Sequence, residues 1–468
     1  MPDTNKTCDI AIIGGGPGGY VAAIRASQLG KRAIVIEKEN MGGVCLNWGC
    51  IPTKALLRTA EVMHLAQNAK AFGISVGKVE ADLSAIIARS RQVAKTLSSG
   101  ISHLMRKNKI EVVAATARLN GKHGNNWRIA CDNKTTITAP IVILATGARA
   151  RELPKVKVDG EYIMTYRQAM IPKTLPKSLL IIGSGAIGME FASFYADLGV
   201  ECTVLEAAPR ILPVEDEEIS ALAAKQFAAR GIKLHTNVML DSMQLSKKQV
   251  TATATTGGKP AVFKSDRAIL AVGISANTDN LGLEVTKIKQ DKKGHVVTND
   301  VGLTDEAGVY AIGDMTGAPW LAHKASHEGI IAVEHSVGGN PHQFTAGDVA
   351  GCTYCRPQIA SIGLTEAAAK EAGMDIRVGR FPFKGNGKAI ALGDDEGLIK
   401  TIFDKKTGAL LGAHMIGPEV TELIQGFAIA RTCEATEAEL MHTIFPHPTL
   451  SEAMHESVLD AYGRVLHF

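Results

Sequence analysis

No stretch of this 468-residue sequence is apolar enough, for long enough, to cross a membrane. The most apolar segment, Ser178–Val200, is interrupted by four glycines, Glu190 and Asp197, so it reads as a buried strand and helix. Nor is there a block of like charge. The net charge of +4 is spread along the chain, which argues against nucleic acid and against membrane insertion or an anionic membrane surface. Low-complexity segments are missing, and the short run ahead of the first strand-like segment at Cys8 is not expected to be a signal or transit peptide. Cysteine is sparse: eight residues at irregular spacing do not make a disulfide scaffold. That favours a reducing compartment, expected to be cytoplasmic, where a disulfide is usually catalytic. What remains is ordinary. With 46% apolar and 21% charged residues the composition is that of a soluble globular protein. The length suits roughly three domains of ~150 residues each.

Two of the cysteines stand out. In Gly42-Gly43-Val44-Cys45-Leu46-Asn47-Trp48-Gly49-Cys50-Ile51-Pro52-Thr53-Lys54 they lie five residues apart, bracketed by glycines. Ile51 precedes a proline and is biased to an extended backbone, and Pro52 suits the first turn of a helix. The run Thr53–Ala71, with Ala55, Leu56, Ala60, Met63 and Leu65, predicts that helix. Cys50 is therefore expected just before a helix N-terminus, where unpaired N–H groups and the dipole favour a thiolate. Gly49 permits the tight turn that brings Cys45 towards Cys50. Alone, the pair reads equally as two structural cysteines. Zinc is disfavoured, because no further Cys or His stands at ligand spacing before His64. Its surroundings favour a redox-active disulfide that opens and closes during turnover.

Those surroundings begin with Cys8–Ile13, an apolar run ending in Gly14-Gly15-Gly16-Pro17-Gly18-Gly19. Tyr20–Leu29 predicts a helix, Gly30 closes it, and the strand Ala33–Ile36 ends at Glu37. This is the order of a dinucleotide-binding unit. Gly14 makes the tight turn, Gly16 admits a pyrophosphate to the backbone and Gly19 lets helix and strand pack closely. The pyrophosphate sits on the helix N-terminus, and Glu37 is placed to accept hydrogen bonds from a ribose. The pattern returns in Ser178–Ile182, Gly183-Ser184-Gly185-Ala186-Ile187-Gly188, a helix to about Leu198, and Glu201–Leu205 leading to Glu206. Two fingerprints imply two dinucleotides. An acid at Glu206 favours a free 2′-hydroxyl over a 2′-phosphate, hence NAD over NADP, with Arg210 as a modest counter-signal. The cysteine pair follows Glu37 by eight residues, so it belongs against the cofactor of the first unit. A dithiol exchanging electrons with a nicotinamide calls for a flavin between them, which assigns FAD to the first site and NAD to the second.

Ile141–Ala145 runs into Thr146-Gly147-Ala148, and Val309–Ile312 runs into Gly313-Asp314; both read as strand ends of the FAD domain. Asp314 is well placed to bind a cofactor hydroxyl, with a turn or cap residue as the lesser alternative. From about Gly347 the pattern alternates. Ile359–Gly363, Ile376–Phe383, Leu398–Phe403 and Leu410–Ile416 predict an antiparallel sheet, followed by helices at Thr421–Thr432 and Thr436–His442. No phosphate loop occurs there, so this α+β segment is expected to serve assembly. In Phe445-Pro446-His447-Pro448-Thr449-Leu450-Ser451-Glu452, two prolines hold His447 in a rigid corner. Ser451 is expected to cap the helix Glu452–Tyr462, and Glu452 to reach back to His447 and fix its tautomer. Such a histidine is a candidate acid–base, or a packed turn residue.

Together these residues resemble the pyridine-nucleotide disulfide oxidoreductases, over nearly the whole chain. Gly42–Lys54 and His447–Glu452 carry the most specific part of the likeness. The resemblance implies an α/β fold of two dinucleotide-binding Rossmann-like domains, a central segment and a C-terminal α+β dimerisation domain. The expected bounds are 1–150 for the FAD domain with the disulfide, 151–278 for the NAD domain, 279–346 for the central domain and 347–468 for the interface. It implies a homodimer whose substrate is a dihydrolipoyl group. That group is carried by the acyltransferase of a 2-oxo-acid dehydrogenase complex or by a glycine-cleavage carrier. Cys45 exchanges with the substrate dithiol and Cys50 contacts the flavin, with Lys54 near the ring. His447 works from the other subunit with Glu452 behind it. FAD is further contacted by Ala117, Thr146, Gly147, Asp314 and the stretch Trp320, Leu321, Ala322 and His323. NAD is faced by Gly183, Gly185, Ile187, Gly188, Glu190, Glu206, Val238 and Gly273.

The chain departs from the family pattern in places. Many relatives carry Gly-Arg-x-Pro-Asn where this chain has Gly273-Ile274-Ser275-Ala276-Asn277. Cys352-Thr353-Tyr354-Cys355 is an added pair that, on a strand, points to opposite faces. His323 and His327 have helical ligand spacing without a third ligand. A glutathione-type reductase would need NADPH, which Glu206 opposes, and a mercuric reductase would need a C-terminal vicinal cysteine pair, which is absent. A non-catalytic flavoprotein scaffold is opposed by Cys45, Cys50 and His447.

Overall fold

The computed structural model describes residues 4–468. They form two compact units. The first joins the chain up to Ala55 with Ile87–Arg151 and Ile274–Ala346; the second joins Leu56–Ile86, Glu152–Gly273 and Gly347–Phe468.

In the first unit five parallel strands stand in the order Val309–Ala311, Ile141–Leu144, Ile10–Ile13, Ala33–Glu37, Glu111–Ala114. The central ones are buried on both faces, so Ile-Ala-Ile-Ile and Ala-Ile-Val-Ile read as unbroken apolar runs rather than alternations. Helix α1 (Pro17–Gln28) connects the two, with proline in its first turn where no N–H is needed. A second sheet in this unit runs Thr4–Thr7, Thr135–Ala139, Asn126–Cys131, Ala117–His123. Its first strand corrects the expectation that the chain's first strand begins at Cys8. Thr-Asn-Lys-Thr is polar and unburied, and only its parallel pairing with Thr135–Ala139 makes it a strand. Two short helices around the cysteines, α2 (Gly43–Trp48) and the start of α3 (Cys50–Gln67), follow the second strand of the parallel sheet. A 25-residue helix, α4 (Leu83–Lys107), ends with Arg106 and Lys107 in its last turn, where cations are favoured.

The second unit repeats the motif. Its parallel sheet has the order Ile163–Met164, Arg267–Leu270, Ser178–Ile182, Glu201–Leu205, Lys233–His235. An antiparallel three-stranded sheet spans Val238–Ser246, Gln249–Thr256 and Lys259–Ser265. The C-terminal sheet contains the four expected strands and one short edge strand more. Its order is Gly351–Thr353, Gln358–Gly363, Leu410–Gly417, Leu398–Asp404, Ile376–Pro382. Phe381, Phe383, Phe403 and Phe427 close its core against the helix Val420–Thr432. Thr436 and Glu439 form a reciprocal capping box at the helix Glu437–His442. Among the described residues no helix is long and apolar enough to cross a membrane.

A buried charge cluster ties this second unit together. The Lys400 side chain is only 3% exposed, and its ammonium lies 2.8 Å from Asp216, 2.8 Å from Glu366 and 3.2 Å from Glu218. Its cross-strand neighbour Arg380 grips both oxygens of Glu218, at 3.0 and 2.8 Å, and reaches Glu366 at 3.1 Å. Asp216 also caps the helix Glu217–Ala229 by accepting the Glu218 N–H at 3.1 Å. Burial alone would raise the Glu366 carboxyl, but Lys370 and Lys400 bring it down to about 2. Asp216 is likewise lowered, because Lys400 outweighs its burial. Lys400 is raised, its three carboxylates outweighing burial.

The signs define a stability window. Carboxyls held low contribute stability above their unfolded values and lose it as pH falls through the folded ones. A lysine held high contributes below its unfolded value and loses it as pH rises through the folded one. The cluster is therefore fully stabilising at neutral pH and fails first towards acid, between the ordinary carboxylate range and about 2. Lys400→Met leaves buried Asp216 without its cation and Glu218 and Glu366 with only their more exposed partners Arg380 and Lys370, and should cost about 3–5 kcal/mol. Thermal midpoints measured at pH 7 should fall accordingly, and the variant should show a shallower acid limb than the parent. An unchanged midpoint would rule out the cluster as a structural support.

Candidate active site

The redox pair is built from two helices and one glycine. Cys45 lies inside α2, and Cys50 is the first residue of α3. The expected helix start at Thr53 is thus three residues late, and Ile51 is helical despite the proline after it. The first N–H groups of a helix have no intrahelical acceptor, so Pro52 forfeits no bond there. The Thr53 N–H already closes on the Gly49 carbonyl at 3.1 Å. At the other end α3 stops at Gln67 rather than Ala71, giving way to a 3-10 turn at Ala69–Phe72. Gly49 separates the two helices with φ −140° and ψ −117°. A Cβ there would lie 3.1 Å from the Val44 carbonyl oxygen and 3.3 Å from Cys45 Cα. Glycine gives the chain room to fold back so tightly that Cys50 meets Cys45.

Both cysteines carry thiols, in hydrogen-bond contact with each other. The Cys45 thiol is pushed far up, first by its hydrogen bond to Cys50, then by burial and by negative charge on Cys50. Lys54 opposes the shift and Asp314 adds to it. The inner sulfur is thus the proton keeper of the pair. The outer one, exposed at the N-terminus of α3, has the place a helix dipole favours for an anion. Asp314 lies in the 3-10 turn Gly313–Thr316. Burial raises its carboxyl, with Lys324 opposing and Glu328 adding. Lys324 is paired with Glu328 at 2.7 Å, and Glu328 accepts the Gly313 N–H at 2.7 Å.

The two phosphate loops have the same construction. Gly14 has φ +112°, and a Cβ on it would meet the Ala145 carbonyl oxygen at 2.2 Å; Gly183 has φ +99° and would meet that of Ala271 at 2.4 Å. A Cβ at Gly19 would lie 1.9 Å from the Gly14 oxygen, and one at Gly188 2.0 Å from the Gly183 oxygen. At Gly16 and Gly185, by contrast, a Cβ would meet nothing within 4 Å. The first and last glycines are sealed against protein and the middle one is open. This is the cradle that a pyrophosphate on a helix N-terminus requires, so both loops fit a dinucleotide.

Glu37 and Glu206 stand at the ends of the second strands, as expected, but the structure gives each a further task. Glu37 accepts the Gly15 N–H at 2.7 Å and the Glu39 N–H at 2.7 Å. Glu206 accepts the Ser184 N–H at 2.8 Å, the Ser184 hydroxyl at 2.6 Å and the Ala208 N–H at 2.8 Å. Each carboxylate therefore holds its own loop in shape. Arg210 turns away from this corner, pairing with Glu217 at 2.7 Å and donating to the Pro213 carbonyl at 3.1 Å. Val238 donates its N–H to the Glu206 carbonyl at 2.9 Å.

The other candidate residues are spread as follows. Thr146 and Gly147 follow the strand Ile141–Leu144, and Asn277 braces them. Its side chain donates to the Thr146 carbonyl at 2.9 Å, its N–H to the Gly147 carbonyl at 2.9 Å, and its own carbonyl accepts the Thr146 hydroxyl at 2.7 Å. Nothing local in the sequence singles out Asn277, since its bonds cross 130 residues of chain. Trp320 and Leu321 lead into the helix Ala322–Ser336, which bears His323. Ala117 opens the strand Ala117–His123 opposite Cys131. Ile187 is exposed in the first turn of the helix Ala186–Asp197, whereas Glu190 is buried there and accepts the Tyr354 N–H at 3.0 Å. Gly273 has φ +103° before the strand Ile274–Ala276.

His447 is 80% exposed, with Nδ1 2.9 Å from Glu452 Oε1. The other oxygen of Glu452 accepts the Thr449 N–H at 2.8 Å. Burial would raise the Glu452 carboxyl, but the Thr449 N–H and His447 bring it below its usual range. The expected Ser451 cap is absent. Ser451 already has helical backbone angles, φ −68° and ψ −19°, so its hydroxyl does not overhang the first N–H groups. It bonds Thr449 Oγ1 at 2.8 Å instead. Cys352 and Cys355 do not bridge: their thiols point to the Thr421 and Pro357 carbonyls. Among the described residues no group of three or more His, Cys, Asp or Glu side chains could hold a metal ion, so His323 and His327 gain no third ligand.

A family model described as pyridine nucleotide-disulphide oxidoreductase matches residues 8–329, and the dimerisation domain of the same family matches residues 349–458. A dihydrolipoyl dehydrogenase of Rhizobium etli is 54% identical, covering 98% of this chain and 99% of that one. One from Zymomonas mobilis is 53% identical with the same coverage. Among solved structures, LpdA of Mycobacterium tuberculosis superposes with a TM-score of 0.90 at 29% identity, covering 97% of this chain and 99% of that one.

The loop geometry yields a paired prediction. Gly188→Ala forces a methyl to 2.0 Å from the Gly183 oxygen and should raise KM for the nicotinamide nucleotide while the flavin absorbance of the purified protein persists. Gly19→Ala should do the reverse, releasing flavin on desalting. Loss of both nucleotides in either variant would contradict separate sites.

Proposed function

The chain belongs to the pyridine nucleotide-disulphide oxidoreductase family, and on that premise we propose that it oxidises protein-bound dihydrolipoyl groups, using FAD and NAD. Its homodimer serves a 2-oxo-acid dehydrogenase complex or a glycine-cleavage system, whose lipoylated acyltransferase or carrier is the partner. One observation supports this reading above the others: the thiol pair grows directly out of the first phosphate loop. The Gly42 N–H bonds the Gly15 carbonyl at 2.8 Å, and a Cβ at Gly43 would lie 2.8 Å from Gly16 Cα. The open cradle at Gly16 and the helix that carries Cys45 are parts of one surface.

FAD is held by the Gly14–Gly19 loop and Asp314, and NAD by the Gly183–Gly188 loop and Glu206; bound there, the two supply the route by which two electrons leave the thiols as hydride. The rest falls to the chain's own groups. His447, oriented by Glu452, takes the proton from one substrate thiol. The resulting thiolate attacks Cys45 in the Cys45–Cys50 disulfide, and Cys50 leaves as the thiolate. The second substrate thiol then passes its proton to the departing Cys45 sulfur and attacks the substrate sulfur of the mixed disulfide, closing the substrate's own ring disulfide and freeing Cys45 as a thiol. The products are oxidised substrate and the dithiol pair. Cys50 keeps its charge at the α3 N-terminus, and Cys45, protonated from the substrate, is held as the thiol by its bond to Cys50. Glu452 stabilises the imidazolium formed at His447 without leaving its bond to the Thr449 N–H.

The functional test is turnover of dihydrolipoamide with NAD. Cys45→Ser should abolish it. His447→Gln should lose about 10²–10⁴-fold, the usual contribution of a general base, with FAD retained. Glu452→Gln should lose less. The exposed His447 serves the cysteine pair of the other subunit. Heterodimers of Cys45→Ser and His447→Gln chains should then regain activity, since one composite site escapes both lesions. Verified heterodimers that stay inactive would refute the shared site. Nucleotide choice has its own readout: NAD should be preferred to NADP, and Glu206→Ala should narrow the gap. Equal specificity constants in the parent protein would overturn the role of Glu206.

A further inference from the structure

Beside the redox pair, and unused by the chemistry above, α2 and α4 enclose a cleft of about 360 Å³. Asn40, Asn47, Trp48, Arg91, Lys95 and Ser99 contribute to its walls, and no carboxylate does. The volume falls within the ~300–1,000 Å³ typical of small-molecule clefts. The Arg91 guanidinium lies over the Trp48 indole, 4.5 Å from the ring centroid. Its Nε and Nη2 are buried and meet no protein acceptor. Those two donors are covered by protein, so what the half-buried guanidinium offers the cleft is its remaining donors and a charge that no carboxylate pairs. Lys95, one helical turn further along α4, brings a second positive charge to the same walls. The walls are braced before any ligand arrives. Asn47 donates to the Met41 and Gly43 carbonyls at 3.1 and 2.9 Å, and the Ser98 hydroxyl to Met41 at 2.7 Å.

We propose that this cleft is an anion site that takes the phosphate of a small phosphate monoester, seated on Arg91 and Lys95. Two cations match a dianion better than a single carboxylate, and a guanidinium offers the paired donors that phosphate oxygens accept. The volume leaves room for a small organic body beside the phosphate. Trp48 ends the helix that carries Cys45, so a ligand here would lie against the structure that holds the redox pair.

The test is calorimetric titration of the FAD-loaded dimer with inorganic phosphate, at constant ionic strength set with chloride and with excess NAD present. One saturable site per chain is expected. Arg91→Gln should weaken it about tenfold, the loss of one hydrogen bond to a charged group. Lys95→Ala, an exposed position on α4, should weaken it about threefold and leave the fold untouched. Acetate at equal concentration should give no saturable heat. Phosphate held by an unfilled dinucleotide loop would survive both substitutions. Isotherms identical in the parent and both variants would therefore overturn the proposal, as would equal binding of acetate. Either result leaves the assignment of the cysteine pair intact, because dihydrolipoamide turnover is measured without phosphate.

Discussion

A side chain at Gly19 would lie 1.9 Å from the Gly14 carbonyl oxygen, and one at Gly188 2.0 Å from that of Gly183. This approach of backbone to backbone holds each helix N-terminus hard against the strand before it. The distance is shorter than any Cβ tolerates, so the arrangement exists only with glycine at both ends of the turn. From it follow the open place at the middle glycine and the direction of the helix dipole. In the first unit it also fixes the position of the cysteines, because Gly42 and Gly43 rest on Gly15 and Gly16. A phosphate loop and a thiol pair built on separate segments would have to be aligned by folding; here they share a backbone contact.

The carboxylates do quieter work of a common kind. Glu37, Glu206 and Glu452 each accept a main-chain N–H as well as serving the chemistry assigned to them. A carboxylate tied to the backbone keeps its direction, which suits an acceptor for a ribose or a support for an imidazolium. Buried charge elsewhere in the second unit follows the same logic on a larger scale. Lys400 is sequestered but meets three carboxylates, so its burial is offset by attraction within the cluster. Arg91 is the contrast. Its covered Nε and Nη2 have an indole face and no acceptor, whereas buried Lys324 of the same unit is paired with Glu328.

Much of this was readable from residue order alone. The glycine spacings, the apolar runs before them and the acids after them are local patterns, and local sterics decide them wherever the chain folds. The same holds for His447 and Glu452, five residues apart across a helix start, and for the alternating strands after Gly347. Other features lie outside any local pattern. Thr4–Thr7 is a strand only because Thr135–Ala139 is beside it. α3 starts at Cys50 because Gly49 offers its carbonyl to Thr53, not because of any helix-favouring residue. Ser451 loses its cap to a neighbouring hydroxyl, and Asn277 braces a loop far away in sequence. Spacing therefore determined which residues stand as candidates for the chemistry, while the tertiary structure decided which partner each polar group takes. A hydrogen bond needs its acceptor within about 3 Å, and only the folded chain brings distant acceptors that close.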